Sequence, residues 1–350
     1  MKILRVIASM DPSGGGPCEG IRNSVPEMLK TGVQNEVVSL DDPSSSFLNQ
    51  EFKIHALGPA KGPWCYSSKL LPWLLENIMR YDIIIVHGLW LFHGYAVRKI
   101  MKRLRKKEYA SKNVCSVLPK VYVMPHGMLD PYFQTARGRK LKAIRNQIYW
   151  KLIESKVMNE AEGLLFTCQE ELKLARLPFR PYTPKREINV GYGIQTPPAF
   201  EQEMGKSFWN KCNKLKGPYF LFLSRIHPKK GIDLLIDAYK KVKNENLNEP
   251  IPKLVIAGPG KKTTYGLKMK KLVEDNPDLK EHIFFPGMLS GNAKWGAFYG
   301  CEAFILPSHQ ENFGIAVVEA LACKKAVLIT NKVNIYREIE SAGGGLVAND

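Results

Sequence analysis

The chain has 350 residues, of which 45% are hydrophobic and 24% charged, a composition that suits a globular protein of about two domains. No run reaches the roughly 18 to 20 consecutive apolar residues that a membrane-spanning helix needs, and the apolar opening Lys2 to Met10 runs into a glycine loop rather than a cleavage site, so an unprocessed cytoplasmic protein is expected. Seven scattered cysteines (Cys18, Cys65, Cys115, Cys168, Cys212, Cys301 and Cys323) exclude a paired disulfide framework, and the formal charge of +18 raises the question of an anionic partner.

In chain order, short β-branched runs alternate with longer helical patterns, which predicts parallel sheets covered by helices. In the first half the expected strands are Ile3 to Ala8, Val37 to Leu40, Ile83 to Val86, Val121 to Met124, Leu164 to Phe166 and Ile188 to Val190. The pattern restarts near residue 217, with Tyr219 to Leu223, Leu254 to Ala257, Ile283 to Phe285, Ala303 to Leu306 and Ala326 to Ile329. Between the halves, Gln195 to Lys216 contains Pro197-Pro198 and a polar stretch, and reads as a hinge linker. The expected architecture is α/β, with two doubly wound domains over residues 1–195 and 217–350 joined by a linker at 196–216.

Ligands of an open parallel sheet bind beyond the carboxyl ends of its strands, and those positions are rich in chemistry here. The first strand is followed by DPSGGGP (Asp11 to Pro17), the third by His87-Gly88 and the fourth by His126-Gly127. In the second half Arg225 to Gly231, Gly258-Pro259-Gly260 and His309 to Gly314 hold the equivalent places. His87 and His93 stand six residues apart, a poor spacing for two ligands on one helix face, and no metal is predicted.

A basic region follows the third strand: Arg98, Lys99, Lys102, Arg103, Arg105, Lys106, Lys107, Arg137, Arg139, Lys140, Lys142, Arg145 and Lys151. Interleaved with Ile100, Met101, Leu104, Leu141, Ile144, Ile148, Tyr149 and Trp150, these charges form two basic amphipathic segments. They fit either solvated helix faces or a peripheral contact with an anionic membrane.

Three constellations carry chemistry. Ser13 to Pro17 (SGGGP), ahead of a helix expected to begin near Glu19, is either a tight turn or a place where backbone N–H groups approach a phosphate or sugar. In SRIHPKKG (Ser224 to Gly231), Arg225 and Lys230 are either solvated or converge to clamp a diphosphate in place of a metal ion. In SHQENFGIAVVEALACKKAV (Ser308 to Val327), Glu311 stands at the start of a helix expected over Phe313 to Cys323, which carries Glu319. Eight residues of helical rise cover about 12 Å, the reach from a sugar across a diphosphate to a ribose. The two acids thus suit hydroxyls at both ends of such a donor, or are an acid favoured by the helix dipole and a solvent-facing one.

The series SRIHPKKG, LVIAGPG, IFFPG and ILPSHQENFGIAVVEALACKKAVL resembles glycosyltransferase family 4, the retaining "glycosyl transferases group 1" type with the GT-B fold of two Rossmann-like domains facing across a cleft. The resemblance covers residues 217–350; the first half matches more loosely through its glycine loop, PHG (Pro125 to Gly127), TCQEE and GYGI (Gly191 to Ile194). It implies that Arg225 and Lys230 bind the donor diphosphate, that Glu311 contacts the transferred sugar, and that the N–H groups of Asn312, Phe313 and Gly314 lie near the phosphates. Glu319 is expected to hold the ribose, His126 to lie near the sugar, Gly15 and Gly16 to pack on donor and acceptor, and Gly258, Gly287 and Met288 to border the base. The implied reaction is front-face transfer of a hexose-type sugar in cell-surface polysaccharide or lipopolysaccharide assembly. Its co-substrate is a nucleotide-diphosphate sugar and its acceptor a saccharide or lipid-linked molecule, with no cofactor, no metal and no acid–base carboxylate pair. Family members usually continue with crossover helices beyond the GGGLV turn, here Gly343 to Val347, and this sequence ends at Asp350. The expected fold is therefore GT-B without those helices.

Two other readings differ in kind. A GT-B sugar-nucleotide epimerase would turn over the sugar nucleotide alone. A non-enzymatic polyanion binder would show steep salt dependence and indifference to Glu311, although no nucleic-acid motif is present and no nucleic acid is expected as a partner.

Overall fold

The computed structural model describes residues 1–110, 117–136, 138–245 and 250–349, without the side chains of 107–110. Cys115 and Arg137 lie outside the described residues, as does the side chain of Lys107. The chain divides into two compact units, Met1–Gly193 and Ile194–Asp350. Among the described residues, no helix is long and apolar enough to cross a membrane.

The first unit is built on a seven-stranded sheet with the order β3-β2-β1-β4-β5-β6-β7, and every pairing is parallel. Its strands are β1 (Lys2–Val6), β2 (Gln34–Ser39), β3 (Ile54–Ala56), β4 (Ile83–His87), β5 (Lys120–Met124), β6 (Gly163–Phe166) and β7 (Glu187–Asn189). Runs such as IIIVH in β4 are apolar without alternation because helices cover both faces of the sheet. One core cluster joins Leu4, Val6, Ile84, Val86, Val123 and Phe166 to residues from the helices, including Phe92, Ala96, Trp150 and Val157.

The second unit holds a six-stranded parallel sheet of order β10-β9-β8-β11-β12-β13. Its strands are β8 (Tyr219–Leu223), β9 (Lys253–Ala257), β10 (Ile283–Gly287), β11 (Ala303–Leu306), β12 (Ala326–Thr330) and β13 (Gly345–Ala348). Counted within the unit, this is the 3-2-1-4-5-6 order of a doubly wound fold, and the first sheet follows the same rule with one further strand. In each unit the order reverses next to the first strand, opening a crevice between β1 and β4 in one and between β8 and β11 in the other.

Sequence reasoning missed β3 and β13. Both are edge strands of three or four residues without a long apolar run, and the segment read as a GGGLV turn is β13 with its approach. Gly345 is paired to Val327, and a Cβ there would meet the Val327 carbonyl oxygen at 2.0 Å, so this edge needs glycine.

The segment read as a linker contains the helix Gln202–Lys211, whose Met204 and Phe208, with Cys212 just beyond, form a buried stripe at i, i+4 and i+8. It packs against the helix Gly291–Gly300, where a Cβ on Gly296 would lie 2.0 Å from the Met204 carbonyl oxygen. That stripe was hidden among the six polar and charged residues of the same short helix, in a segment following two prolines.

The two basic segments fold differently. In the helix Phe92–Ala110, Ala96, Val97, Ile100 and Met101 are buried and Lys99, Lys102 and Arg103 exposed, an ordinary surface helix. The second segment, the helix Lys140–Tyr149 continued by a π-helical turn over Trp150–Glu154, buries Asn146, Trp150 and Glu154 and leaves Leu141, Ile144, Ile148 and Leu152 outside.

Candidate functional site

At the reversal point of the second sheet, the loop leaving β8 forms a 3-10 turn, Pro228–Lys230, closed by Gly231 in a left-handed conformation (φ 66°). A Cβ on Gly231 would stand 1.9 Å from the Pro307 carbonyl oxygen at the end of β11, so glycine lets the two loops meet. There the His309 N–H donates to the Lys229 carbonyl at 3.0 Å, and the buried Lys230 Nζ donates to Glu311 Oε2. Glu311 is itself fixed by its backbone, which donates to the Lys332 carbonyl at 2.9 Å and accepts from the Asn334 N–H at 3.0 Å. Its Oε1 accepts from the Asn312 N–H at 3.2 Å. Burial first, then the nearby charges of Lys229 and Arg225, push the Lys230 ammonium well below the usual lysine range. Arg225 is exposed beside it.

The helix following Glu311 spans Ile315–Ala322, shorter than the sequence pattern suggested. Gly314 precedes it with φ 78°, which no helical residue adopts, and Glu311 lies outside the helix in a bridge to Val333. The 12 Å spacing expected from continuous helix between the two glutamates is therefore corrected. Asn312, Phe313 and Gly314 lead the chain from Glu311 to the helix head. Glu319 is not solvent-facing: it is 8% exposed, and its Oε1 accepts from Lys294 Nζ at 2.6 Å. Lys294 also lies over the Trp295 ring, 4.5 Å from its centroid. No sequence signal singled out Lys294, since its helix, GNAKWGAFYG, carries no motif.

Gly258 and Gly287 end the neighbouring strands β9 and β10, and the Gly258 N–H donates to the Gly287 carbonyl at 2.8 Å. A Cβ on Gly258 (φ 140°) would lie 1.8 Å from the Ser224 carbonyl oxygen, which keeps that strand end flush against the loop that carries Arg225. Met288, next to Gly287, is 60% exposed.

The first unit has a second polar group at its own reversal point. Gly15 (φ 85°) caps a helix that spans Gly16–Lys30 and starts three residues before Glu19, because Pro17 fits the first turn of a helix. Tyr192, from the GYGI segment, donates its hydroxyl to the Gly16 carbonyl. A Cβ on Gly20 would lie 1.8 Å from that hydroxyl oxygen, so the small residue one turn into the helix makes the contact possible. The Tyr192 ring meets His126 edge-on with centroids 6.2 Å apart.

His126 has φ 53°, and the turn that holds it is tied down by the buried Glu171, which accepts from the Gly127 N–H and, at 2.8 Å, from the Thr167 N–H. His126 Nε2 faces His87 Nδ1 at 2.9 Å, and His87 Nε2 faces Arg5 Nη1 at 3.4 Å. Arg5 is buried, donates through Nε to Asn35 Oδ1 at 2.9 Å, and is drawn down to about 10 by burial. Burial first, then the Arg5 charge, pushes His126 down to about 3; burial is also the main cause of the strong depression at His87. Sequence reasoning found His126 and noted His87 as a strand end. It missed Arg5, which reads as one polar residue in an apolar strand, and the part played by Tyr192.

Residues 205–350 match the family described as glycosyl transferases group 1. Over 139 residues the chain is 27% identical to a D-inositol 3-phosphate glycosyltransferase of Jonesia denitrificans, covering 39% of this chain and 32% of that protein. Over its whole length it is 22% identical to a GDP-mannose:cellobiosyl-diphosphopolyprenol alpha-mannosyltransferase of Xanthomonas campestris, of which it spans 83%. Among solved structures, a glycosyltransferase from Rickettsia africae superposes with TM-score 0.72 at 16% identity, covering 99% of this chain and 84% of that one. The Anabaena protein HepE, solved with UDP and glucose, gives TM-score 0.70 at 16% identity over 100% of this chain and 86% of that one. The two parallel α/β units thus have the architecture of GT-B glycosyltransferases. The matches span about a third of the first curated relative (32%) and two-fifths of the second (41%). The segment that carries Lys230, Glu311 and Glu319 lies wholly inside the match of residues 205–350 to the glycosyl transferases group 1 family.

Proposed function

We propose that the protein is a retaining glycosyltransferase that moves a hexose-type sugar from a nucleotide-diphosphate sugar to a saccharide or lipid-linked acceptor in cell-surface polysaccharide or lipopolysaccharide assembly. The observation that carries this reading is the pairing of buried Lys230 with half-buried Glu311 at the reversal point of the second sheet, ahead of the helix that bears Glu319. Lys230, Arg225 and the N–H groups of Asn312, Phe313 and Gly314 receive the diphosphate. As the anomeric bond breaks, they stabilise the negative charge that develops on it, without a metal or cofactor. Glu311 accepts from sugar hydroxyls and Glu319 from the ribose, with Gly258, Gly287 and Met288 beside the base. The leaving phosphate oxygen takes the acceptor's proton on the face where the new bond forms. On the first unit, His126 donates to the sugar while Gly15 and Gly16 allow close backbone approach. The names of two relatives, one using GDP-mannose and one solved with UDP, make guanosine and uridine diphosphate sugars the donors to test first.

Thermal shift and calorimetry with uridine, guanosine and adenosine diphosphate sugars test this on the wild type, Lys230→Ala and Glu319→Ala. Selective stabilisation by one donor, lost in both variants, supports the reading, and absence of any donor effect overturns it. Turnover of the donor without acceptor, faster than slow hydrolysis, would favour an epimerase.

We further propose that the helix Lys140–Tyr149 and its continuation rest on an anionic membrane surface where a lipid-linked acceptor is met. Leu141 (84% exposed), Ile144, Ile148 and Leu152 project outward among exposed Lys140, Lys142, Arg145 and Lys151. Flotation at low salt with phosphatidylglycerol vesicles is the test. No preference over neutral vesicles, or unchanged binding by Leu141→Glu/Ile148→Glu, would reject it.

A further inference from the structure

Arg5 and His87 come from two strands and His126 from the turn that follows a third, yet their side chains meet on one side of the sheet. Arg5 in β1 is paired to Ile85 in β4, so His87, two residues on, shares its face. His87 is in turn paired to Met124 in β5, and His126 follows two residues later. The Gly16–Lys30 helix covers this face, and its Met28 Sδ accepts from Arg5 Nη2 at 3.1 Å. The three side chains therefore form a row, buried at Arg5 and His87 and half-buried at His126, with contacts of 3.4 Å and 2.9 Å, at the carboxyl end of the sheet where its strand order reverses.

The row has a direction. A guanidinium only donates and cannot lose its proton under ordinary conditions, so the His87 nitrogen that faces it, Nε2, must present a lone pair. A neutral imidazole with a bare Nε2 carries its proton on Nδ1. That Nδ1 faces His126 Nε2, which must then accept, and the proton of His126 is left on Nδ1. His93 donates through Nε2 to the His87 carbonyl at 2.9 Å and does not touch the ring nitrogens of His87. The depressed basicity of both rings agrees with two neutral imidazoles in series.

We propose that Arg5 and His87 are positioning residues that fix the tautomer of His126, so that His126 presents Nδ1–H as a hydrogen-bond donor and cannot act as a base through Nε2. The effect on transfer rests on the glycosyltransferase reading above; the tautomer assignment does not. Free imidazole side chains favour the opposite tautomer, so the arrangement is one that the fold has to impose. It suits a group that donates to a sugar oxygen in a reaction whose proton goes to the leaving phosphate.

Long-range proton–nitrogen NMR correlation on the full chain with nitrogen-15-labelled histidine tests this at pH 7, with His126 and His87 identified by signals missing in His126→Gln and His87→Gln. The expected wild-type pattern is bare Nε2 and protonated Nδ1 on both rings. A wild-type His126 protonated on Nε2 overturns the proposal, whatever any variant does. In Arg5→Met the constraint on His87 is gone, and both rings are expected to shift toward Nε2–H; unchanged tautomers in a folded Arg5→Met variant also overturn it. His87→Phe is expected to release His126 alone. Both variants should lower kcat/KM for the sugar nucleotide about tenfold, the loss of one well-aimed hydrogen bond, while leaving nucleoside diphosphate affinity unchanged. If the wild type shows the expected tautomers but binds no sugar nucleotide, the glycosyltransferase reading fails and the positioning of His126 stands.

Discussion

The two units share one topology and place polar groups at the same point of it, yet the chemistry is opposite. Where β8 and β11 part, the second unit buries a cation against a carboxylate, Lys230 on Glu311, with a second pair, Lys294 on Glu319, nearby in the same unit. Where β1 and β4 part, the first unit sets a row of neutral rings, His87 and the half-buried His126, behind a single buried guanidinium. A doubly wound sheet thus supplies a place rather than a chemistry. Charge suits a site that meets a diphosphate, and a fixed neutral donor suits one that meets a sugar.

The comparison breaks most sharply at Lys230. Lys230→Ala is expected to weaken nucleoside diphosphate binding about 100-fold, as the loss of a charge-assisted hydrogen bond and an unpaired Glu311 would together cause, while His126→Ala leaves that affinity nearly unchanged. Calorimetry on both variants decides it, and equal losses would dissolve the distinction between the two sites.

Next in size is acid sensitivity, which should trace to the histidines His93 and His126 of the first unit. Unfolded histidines take up protons near 6.5, whereas folded His93 does so only at about 4 and His126 at about 3. Between these values the unfolded chain binds more protons, so stability falls as pH drops from 6.5. The loss approaches about 2 kcal/mol for each such histidine by pH 5. Denaturant melts at pH 7 and pH 5 should show His93→Gln losing less stability on acidification than the wild type. Glu154, raised to about 8 by burial, works in the other direction: its contribution is complete below about 4.5 and is lost as pH rises through 8. Glu154→Gln should therefore remove a fall in stability that the wild type shows as pH rises from about 4.5 to 8.

A smaller effect sharpens the charged site. Because burial, with Lys229 and Arg225 nearby, depresses Lys230, an arriving diphosphate should draw a proton onto it. Calorimetry in buffers of different ionisation heat should register proton uptake on binding, absent in Lys230→Arg. Smallest of all, Lys294→Ala should lower donor affinity about fivefold, since Lys294 holds Glu319 in place.

The helix-and-strand alternation that defines two parallel sheets was legible because hydrophobic periodicity is a local property. So was the candidate site of the second unit: Arg225, Lys230, Glu311 and Glu319 lie in compact motifs whose spacing a single loop and helix nearly fixes. Where that reading slipped, at the start of the Ile315–Ala322 helix, one backbone angle at Gly314 was responsible. The short edges β3 and β13 and the buried stripe of the Gln202–Lys211 helix were not legible, because few residues carry the signal and their partners are distant in sequence.

Two similar basic segments show the same limit. Phe92–Ala110 turns its apolar residues into the core and Lys140–Tyr149 turns Leu141, Ile144 and Ile148 outward, a choice set by the surfaces each helix meets. The sequence by itself determined the strands, the glycines that allow close approach and the charges of the second unit's loops. Only tertiary structure decided that Arg5, His87 and His126, separated by about 80 and 40 residues, form one row, because parallel pairing aligns strands whose spacing along the chain carries no record of their contact.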